Sequence, residues 1–178
     1  ARRPGPTLTR DEILSAALAL VHEDGPDALR MRAVGARVGV RAASLYHHFA
    51  NQDALRLAVA LQGWRRLIGA LPPPTKDLAH SLRASALAYR AFAREHPGLY
   101  LLMSGTAFPA DTVAPMEVAE QALAQIGLPG GGHRQLRALR GAVHGLVHLE
   151  LMGQLGEGHE ASFDWLLEAV VAQIERDG

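Results

Sequence analysis

His144 and His148 stand four residues apart in a stretch of helical spacing, so their imidazoles share one face and could hold a transition metal. A second pair, His47 and His48, lies inside the run Ser44-Leu45-Tyr46-His47-His48-Phe49. Two ligands make an incomplete zinc site, and neither pair is part of an H-E-x-x-H pattern. The chain has no cysteine, which removes thiolate metal sites, cysteine nucleophiles and disulfides together. No nucleophile motif or phosphate-binding loop stands out. The sequence therefore predicts no catalytic residue, no metal and no cofactor. For His47 and His48 it leaves another reading, a short helix that enters a DNA groove.

The elements that would position such a helix can be read from the punctuation of the chain. Residues 1–8 hold two prolines, a glycine, Arg2 and Arg3, and read as a basic arm. Thr9-Arg10-Asp11-Glu12 has the form of a capping box, and Ile13, Leu14, Ala17, Leu18 and Val21 follow as an apolar stripe until Gly25-Pro26. Residues 31–38 predict a second helix, closed by Gly39 in a left-handed conformation. Val40 is expected to tuck into the core at the turn, and residues 42–49 predict a third helix. Asn51 is a candidate cap for a fourth helix running to about Gly69, which Pro72-Pro73-Pro74 then stops.

Past the triple proline the helical stretches lengthen, at about 77–95, 97–104, 115–126, 134–155 and 162–176. No segment alternates with period two for long. The predicted architecture is all-α, of about nine helices, with a three-helix helix-turn-helix unit over residues 1–56 and a C-terminal antiparallel helical bundle over 57–178.

Helix, tight glycine turn and second short helix is the arrangement that lays its second helix in the major groove. Leu45 and Phe49 share a face by their spacing of four and can anchor that helix to Val34 and Val38. Arg41, Ala42, Ala43, Ser44, His47 and His48 are then left toward solvent or groove, with Tyr46 at the margin. Small residues permit close approach, Ser44 and Tyr46 can donate to phosphate, and Arg41 adds charge. The whole chain is neutral, with 18 basic and 18 acidic residues, which argues weakly against DNA. The first 56 residues carry eight arginines against six carboxylates, a small local surplus.

Gly39-Val40, the run from Ser44 to Phe49, Asn51, Ala54-Leu55 and Gly25 make this segment resemble the DNA-binding domain of the TetR family of transcriptional regulators. The resemblance covers about residues 9–56. A weaker one continues through "AYRAFAREHPGLYLLM" at 88–103 and "VHGLVHLELMG" at 143–153, similar to one group of C-terminal regulatory domains of that family. It implies that Arg32 reaches a base edge or phosphate, that Arg41, Ala42, Ala43 and Ser44 begin the recognition helix, and that Tyr46, His47 and His48 form its backbone-contacting end. Some positions depart from the family pattern. Gln52 stands where the fourth helix usually opens with a phosphate-contacting lysine, and Arg30 and Arg41 stand at what are often Ser or Thr caps.

In the C-terminal part, Gly141 and Gly145 sit in mid-helix, where each costs roughly 1 kcal/mol relative to alanine, so close approach of another helix is expected. Phe163, Leu166, Leu167, Val170, Val171 and Ile174 form an apolar stripe on the last helix, which is either intradomain core or a face for a second copy. The resemblance implies a four-helix interface between two subunits. Trp64, Tyr89, Phe92, Tyr100, Met103 and Met116 are candidates to line an apolar ligand pocket, with Arg90, His96, His144 and His148 as its polar groups.

The expected function is that of a ligand-responsive repressor which binds a pseudo-palindromic, double-stranded DNA operator as a homodimer. Its effector would be a small, largely apolar molecule. No apolar run is long enough to span a bilayer, and a soluble cytoplasmic protein is expected. The alternatives are a dimeric small-molecule-binding protein with weak or lost DNA binding, for which Gln52 and the neutral charge speak, and an enzyme using the C-terminal cavity.

Overall fold

The computed structural model describes residues 8–109 and 133–176. The basic arm, the helix expected at 115–126 and the glycine run at 130–132 lie outside the described residues. Among those described there are eight α-helices and no strand, in keeping with the all-α architecture predicted. The helices are α1 (Arg10–Asp24), α2 (Met31–Arg37), α3 (Ala42–Leu45), α4 (Gln52–Ala70), α5 (Leu78–Glu95), α6 (Pro97–Ser104), α7 (His133–Leu151) and α8 (His159–Arg176). They fall into two compact units. One comprises the described residues up to Gly63 together with His96–Phe108, and the other comprises Trp64–Glu95 with Pro109 and the described residues from 133 onward.

In the first unit, the Thr9 hydroxyl accepts from the Glu12 N–H at 3.2 Å while the Glu12 carboxylate accepts from the Thr9 N–H at 2.7 Å. Both partners of the predicted capping box are thus in place. α1 buries Ile13, Leu14, Ala17, Leu20 and Val21. The inner position is Leu20, whereas Leu18 is only half-buried. Met31 and Val34 of α2, Leu45 of α3 and Phe49 close this core with Leu55, Ala58 and Val59 of α4. α6 adds Leu99, Tyr100, Leu102 and Met103, and crosses α1 so closely that any side chain at Gly98 would run into the Val21 carbonyl.

Two glycines make the turn between α2 and α3. Gly39 has φ +74°, a left-handed backbone in which a Cβ is strained. A Cβ on Gly35 would lie 2.9 Å from the Val40 carbonyl oxygen, because the Val40 N–H donates to the Gly35 carbonyl across the turn at 2.9 Å. α3 is shorter than the sequence predicts, since residues 46–48 form a turn instead of continuing the helix. At its end the His48 and Phe49 N–H groups both donate to the Leu45 carbonyl, at 2.9 and 3.0 Å, which tightens the last turn.

In the second unit, Asp77 caps α5 by accepting from the His80 N–H at 2.8 Å. α5 packs on both α7 and α8, which pack on each other. Leu82, Ala86 and Tyr89 meet Leu136, Leu139, Val143 and Val147 of α7 and Phe163, Leu167 and Val171 of α8 in a common core.

Candidate functional site

With Leu45 wholly buried and Phe49 nearly so, the segment from Arg41 to Phe49 is fixed by one face. Arg41, Ala43, Ser44, Tyr46 and His47 are exposed on the other, and Ala42 and His48 are half-buried. Tyr46 is 52% exposed, unusual for so large a ring and consistent with a surface kept for contact. Arg32 of α2 is exposed as well.

The arginines of this unit sort by what they touch. Arg37 makes a two-pronged ion pair with Glu23 of α1, at 2.7 and 2.5 Å. The Arg10 guanidinium lies 4.8 Å from the centre of the Phe49 ring, and Arg56 donates to the Pro26 carbonyl at 3.2 Å. Arg30, Arg32 and Arg41 are exposed and have no ion-pair partner among the described residues. Three guanidinium groups thus remain available beside the hydroxyls of Ser44 and Tyr46, a set suited to phosphate oxygens and base edges.

Gln52, at the position where the family's phosphate-contacting lysine usually stands and one of the candidate DNA-contact residues, has its amide bonded within the chain. Its side-chain Oε1 accepts from the Met31 N–H at 2.9 Å and its Nε2 donates to the Leu29 carbonyl, so the amide closes the start of α2. The adjacent Asn51 does cap α4 as predicted, accepting from the Ala54 N–H at 2.8 Å.

The candidate effector residues divide between the two units. His96, Tyr100 and Met103 belong to the first. Tyr100 and Met103 are almost completely buried there, with Met103 packed where a Cβ on Gly63 would otherwise project, and the His96 ring lies edge-on to His22 at 6.2 Å. Trp64, Tyr89, Phe92, His144 and His148 belong to the second, and Met116 lies outside the described residues. The Tyr89 hydroxyl is 2.9 Å from Nδ1 of His144, whose ring stands 6.0 Å from that of His148. Burial, then the neighbouring His148 and Arg140, hold His144 below its ordinary pKa of 6.5. Nδ1 of His148 and Nε1 of Trp64 are buried without a hydrogen-bond partner among the described residues.

Arg90 is largely committed within the second unit, although its Nη2 is buried without a hydrogen-bond partner among the described residues. It is buried, its Nε donates to Glu150 at 2.7 Å and its Nη1 to Glu160 at 2.6 Å, and its guanidinium lies 4.5 Å from the centre of the Phe163 ring. Arg94 doubles both links, at 2.5 and 2.6 Å. Glu150, His159 and Glu160 converge closely enough to resemble a metal site, but both carboxylates are already committed to guanidinium groups. Sequence reading missed this network because its arginines and carboxylates are 56 to 70 positions apart and no spacing marks them.

α7 and α8 also present an open groove of about 610 Å³ lined by Ala142, Leu146, Ala161, Ser162, Trp165 and Leu166. Trp165 is 69% exposed and Met152 50%. Nothing among the described residues approaches the points where Cβ atoms on Gly141 and Gly145 would lie.

Comparison with known proteins agrees with this geometry. Residues 13–59 match the profile of bacterial regulatory proteins of the tetR family, and residues 82–170 match the tetracyclin repressor-like C-terminal domain. The HTH-type transcriptional regulator Rv0681 of Mycobacterium tuberculosis is 29% identical over 180 residues, covering 95% of this chain and 83% of its own. The class A tetracycline repressor from transposon 1721 of Escherichia coli is 33% identical over 99 residues, 51% of this chain and 46% of that one. Among solved structures, TetR from Acinetobacter baumannii AYE superposes with a TM-score of 0.73 at 25% identity, over 96% of this chain and 98% of that chain. A single-substitution variant of that repressor in complex with minocycline gives 0.74 at 27% identity, with the same coverage. No helix among the described residues is long and apolar enough to cross a membrane. The chain belongs to the TetR family of DNA-binding transcriptional repressors.

Proposed function

We propose that this protein is a homodimeric, effector-responsive repressor that docks α3 and the turn after it into the major groove of a pseudo-palindromic operator. Residues 1–56 carry the DNA contacts, and residues 57–178 carry effector binding and dimerisation. The observation that carries the reading is the split of residues 41–49 into a buried pair, Leu45 and Phe49, and an exposed set of Arg41, Ala43, Ser44, Tyr46 and His47. Arg32 and Arg41 hold phosphates or a guanine edge, a bidentate guanine contact being worth about 1–3 kcal/mol of discrimination. Tyr46 and His47 set the docking register on the backbone.

Dimerisation is supported by the apolar groove on α7 and α8, by the exposed Trp165 and Met152, and by the open space over Gly141 and Gly145. A second copy laid on this face would bury all of them. Its two recognition helices would enter successive major grooves roughly 34–36 Å apart.

The effector is a small, mostly apolar molecule with at least one hydrogen-bonding group. The buried, unpartnered Nδ1 of His148 and Nε1 of Trp64, in the same unit as Tyr89, Phe92 and His144, support that chemistry, because a buried polar atom left unmatched costs about 1–3 kcal/mol. By binding one conformation better than another it would change operator affinity by that difference alone.

Selection of duplexes from a random library with purified protein tests the reading. A two-fold-symmetric site bound with a steep salt dependence is expected. No enrichment at low salt would overturn operator binding and leave effector binding as the chain's remaining task.

A further inference from the structure

We propose that Gln52 and Arg30 divide two tasks at the entrance to α2: Gln52 caps the helix from the start of α4, and Arg30, relieved of capping, carries its charge to a phosphodiester of the operator. The second half rests on the operator reading above.

The residue that immediately precedes a helix normally satisfies one of its first N–H groups with a side-chain oxygen. Arg30 occupies that position in α2, with extended backbone angles of φ −130° and ψ 144°, and makes no such bond. It cannot, because a guanidinium has five donors and no acceptor. The acceptor comes instead from Gln52, 21 residues beyond Met31, whose Oε1 lies 2.9 Å from the Met31 N–H. The same amide donates to the Leu29 carbonyl, so one side chain matches a donor and an acceptor on either side of Arg30. Both bonds are partly buried, where water substitutes poorly. A lysine at residue 52 would supply no acceptor, which gives the amide there a physical reason independent of DNA.

The backbone of Arg30 is therefore held on both sides while its side chain stays in solvent. Met31 is buried, so the flanking Arg30 and Arg32 are turned outward together. Arg10, Arg37 and Arg56 each have a partner within the unit. Arg30, with Arg32 and Arg41, has none among the described residues and needs no desolvation of an existing ion pair before meeting an anion. In this arrangement the charge that could have come from residue 52 is supplied by residue 30. Gln52 is a positioning residue, and Arg30 is the one that touches the ligand.

The test measures duplex affinity against salt and thermal unfolding without DNA, on the full chain. Arg30→Ala removes one phosphate contact from each subunit of the dimer and should make the slope of log K against log salt shallower by about 1.8, two contacts at about 0.9 each, with Tm unchanged, and Arg30→Lys should restore the slope. Gln52→Leu should lower Tm by roughly 4 °C or more, and adding Arg30→Thr, whose hydroxyl can cap in place, should recover part of that loss. If Gln52→Leu does not fold, Gln52→Glu keeps the acceptor toward Met31 but faces the Leu29 carbonyl with a second one, and should still melt below the parent chain. An unchanged slope in Arg30→Ala, with a parent chain that binds steeply, overturns the phosphate role alone. An unchanged Tm in Gln52→Leu overturns the cap. A parent chain that binds no duplex overturns the operator reading and the role of Arg30 with it, while the melting arms still decide on Gln52.

Discussion

The hydroxyl of Tyr89 on α5 meets Nδ1 of His144 on α7 at 2.9 Å, a polar link between two helices that are also joined by the ion pairs of Glu150 with Arg90 and Arg94. His144 titrates below its ordinary value of 6.5 when folded, chiefly because it is buried. Its contribution to stability is complete above the unfolded pKa and is lost as pH falls through that value toward the folded one. Thermal unfolding should therefore show Tm dropping as pH is lowered from 7 to 5, and His144→Gln should flatten that part of the profile. A drop of the same size in the variant would mean that other groups cause it.

Leu45 and Ser44 are neighbours with opposite duties, which separates folding from DNA contact. Leu45→Ala should cost about 2–5 kcal/mol of stability because its side chain is wholly buried. Ser44→Ala should leave Tm within a degree or two and weaken operator binding. Denaturant unfolding and duplex titration on both variants check this, and equal losses of stability would contradict the packing described.

Trp165 gives the interface a direct test. Replacing it with glutamate puts a charge in the groove shared with Ala142, Leu146 and Leu166, and should turn a dimer into a monomer in analytical ultracentrifugation. Operator affinity should fall by roughly 100-fold or more, since two linked half-site contacts become independent. A Trp165→Glu protein that sediments as a dimer would place the interface elsewhere.

Glu150 links α7 to α5 through Arg90 and Arg94. Burial alone would push its carboxyl up, but the hydrogen bonds from Arg90 and then Arg94 outweigh this, and the group sits below the usual carboxylate range. That stability is present above the unfolded pKa and lost as pH falls through the folded one. Glu150→Gln should unfold more easily at neutral pH, and its stability should change less than the parent's between pH 5 and 3. Arg90 and Arg94 keep Glu160 as a partner, so the loss should fall short of the about 3–5 kcal/mol typical where a buried pair loses one member and leaves the other charge unmatched.

Local features were the legible ones. Thr9 with Glu12, Gly39 and Asn51 announce helix ends because each acts within a few residues, and the structure places all three as caps or turns. The all-α architecture follows from such features together with the spacing of Leu45 and Phe49, whereas the family came from the resemblance of Gly39-Val40 and the run from Ser44 to Phe49 to a known domain. The full length of α3 was not legible, since an apolar residue at 49 is equally compatible with a helix and with a tight turn that returns to the core.

The roles of Gln52 and Arg90 were not legible either, for another reason. Each looks like a free polar group in sequence, yet its partners lie 21 to 70 residues away and are brought to it only by packing. Met103 likewise packs against a position far away in sequence, filling the space where a Cβ on Gly63 would project.

The presence of α6 in the first unit means that the DNA-reading part is not a portable cassette. Leu99, Tyr100, Leu102 and Met103 are buried in that core, and Gly98 is seated against the Val21 carbonyl. Each buried side chain is worth roughly 1.5–3 kcal/mol, against a total stability of about 5–15 kcal/mol for an ordinary domain. A fragment cut at Gly63 and grafted onto another protein would leave behind part of its own keel, so a working chimera must carry residues 96–108 with it.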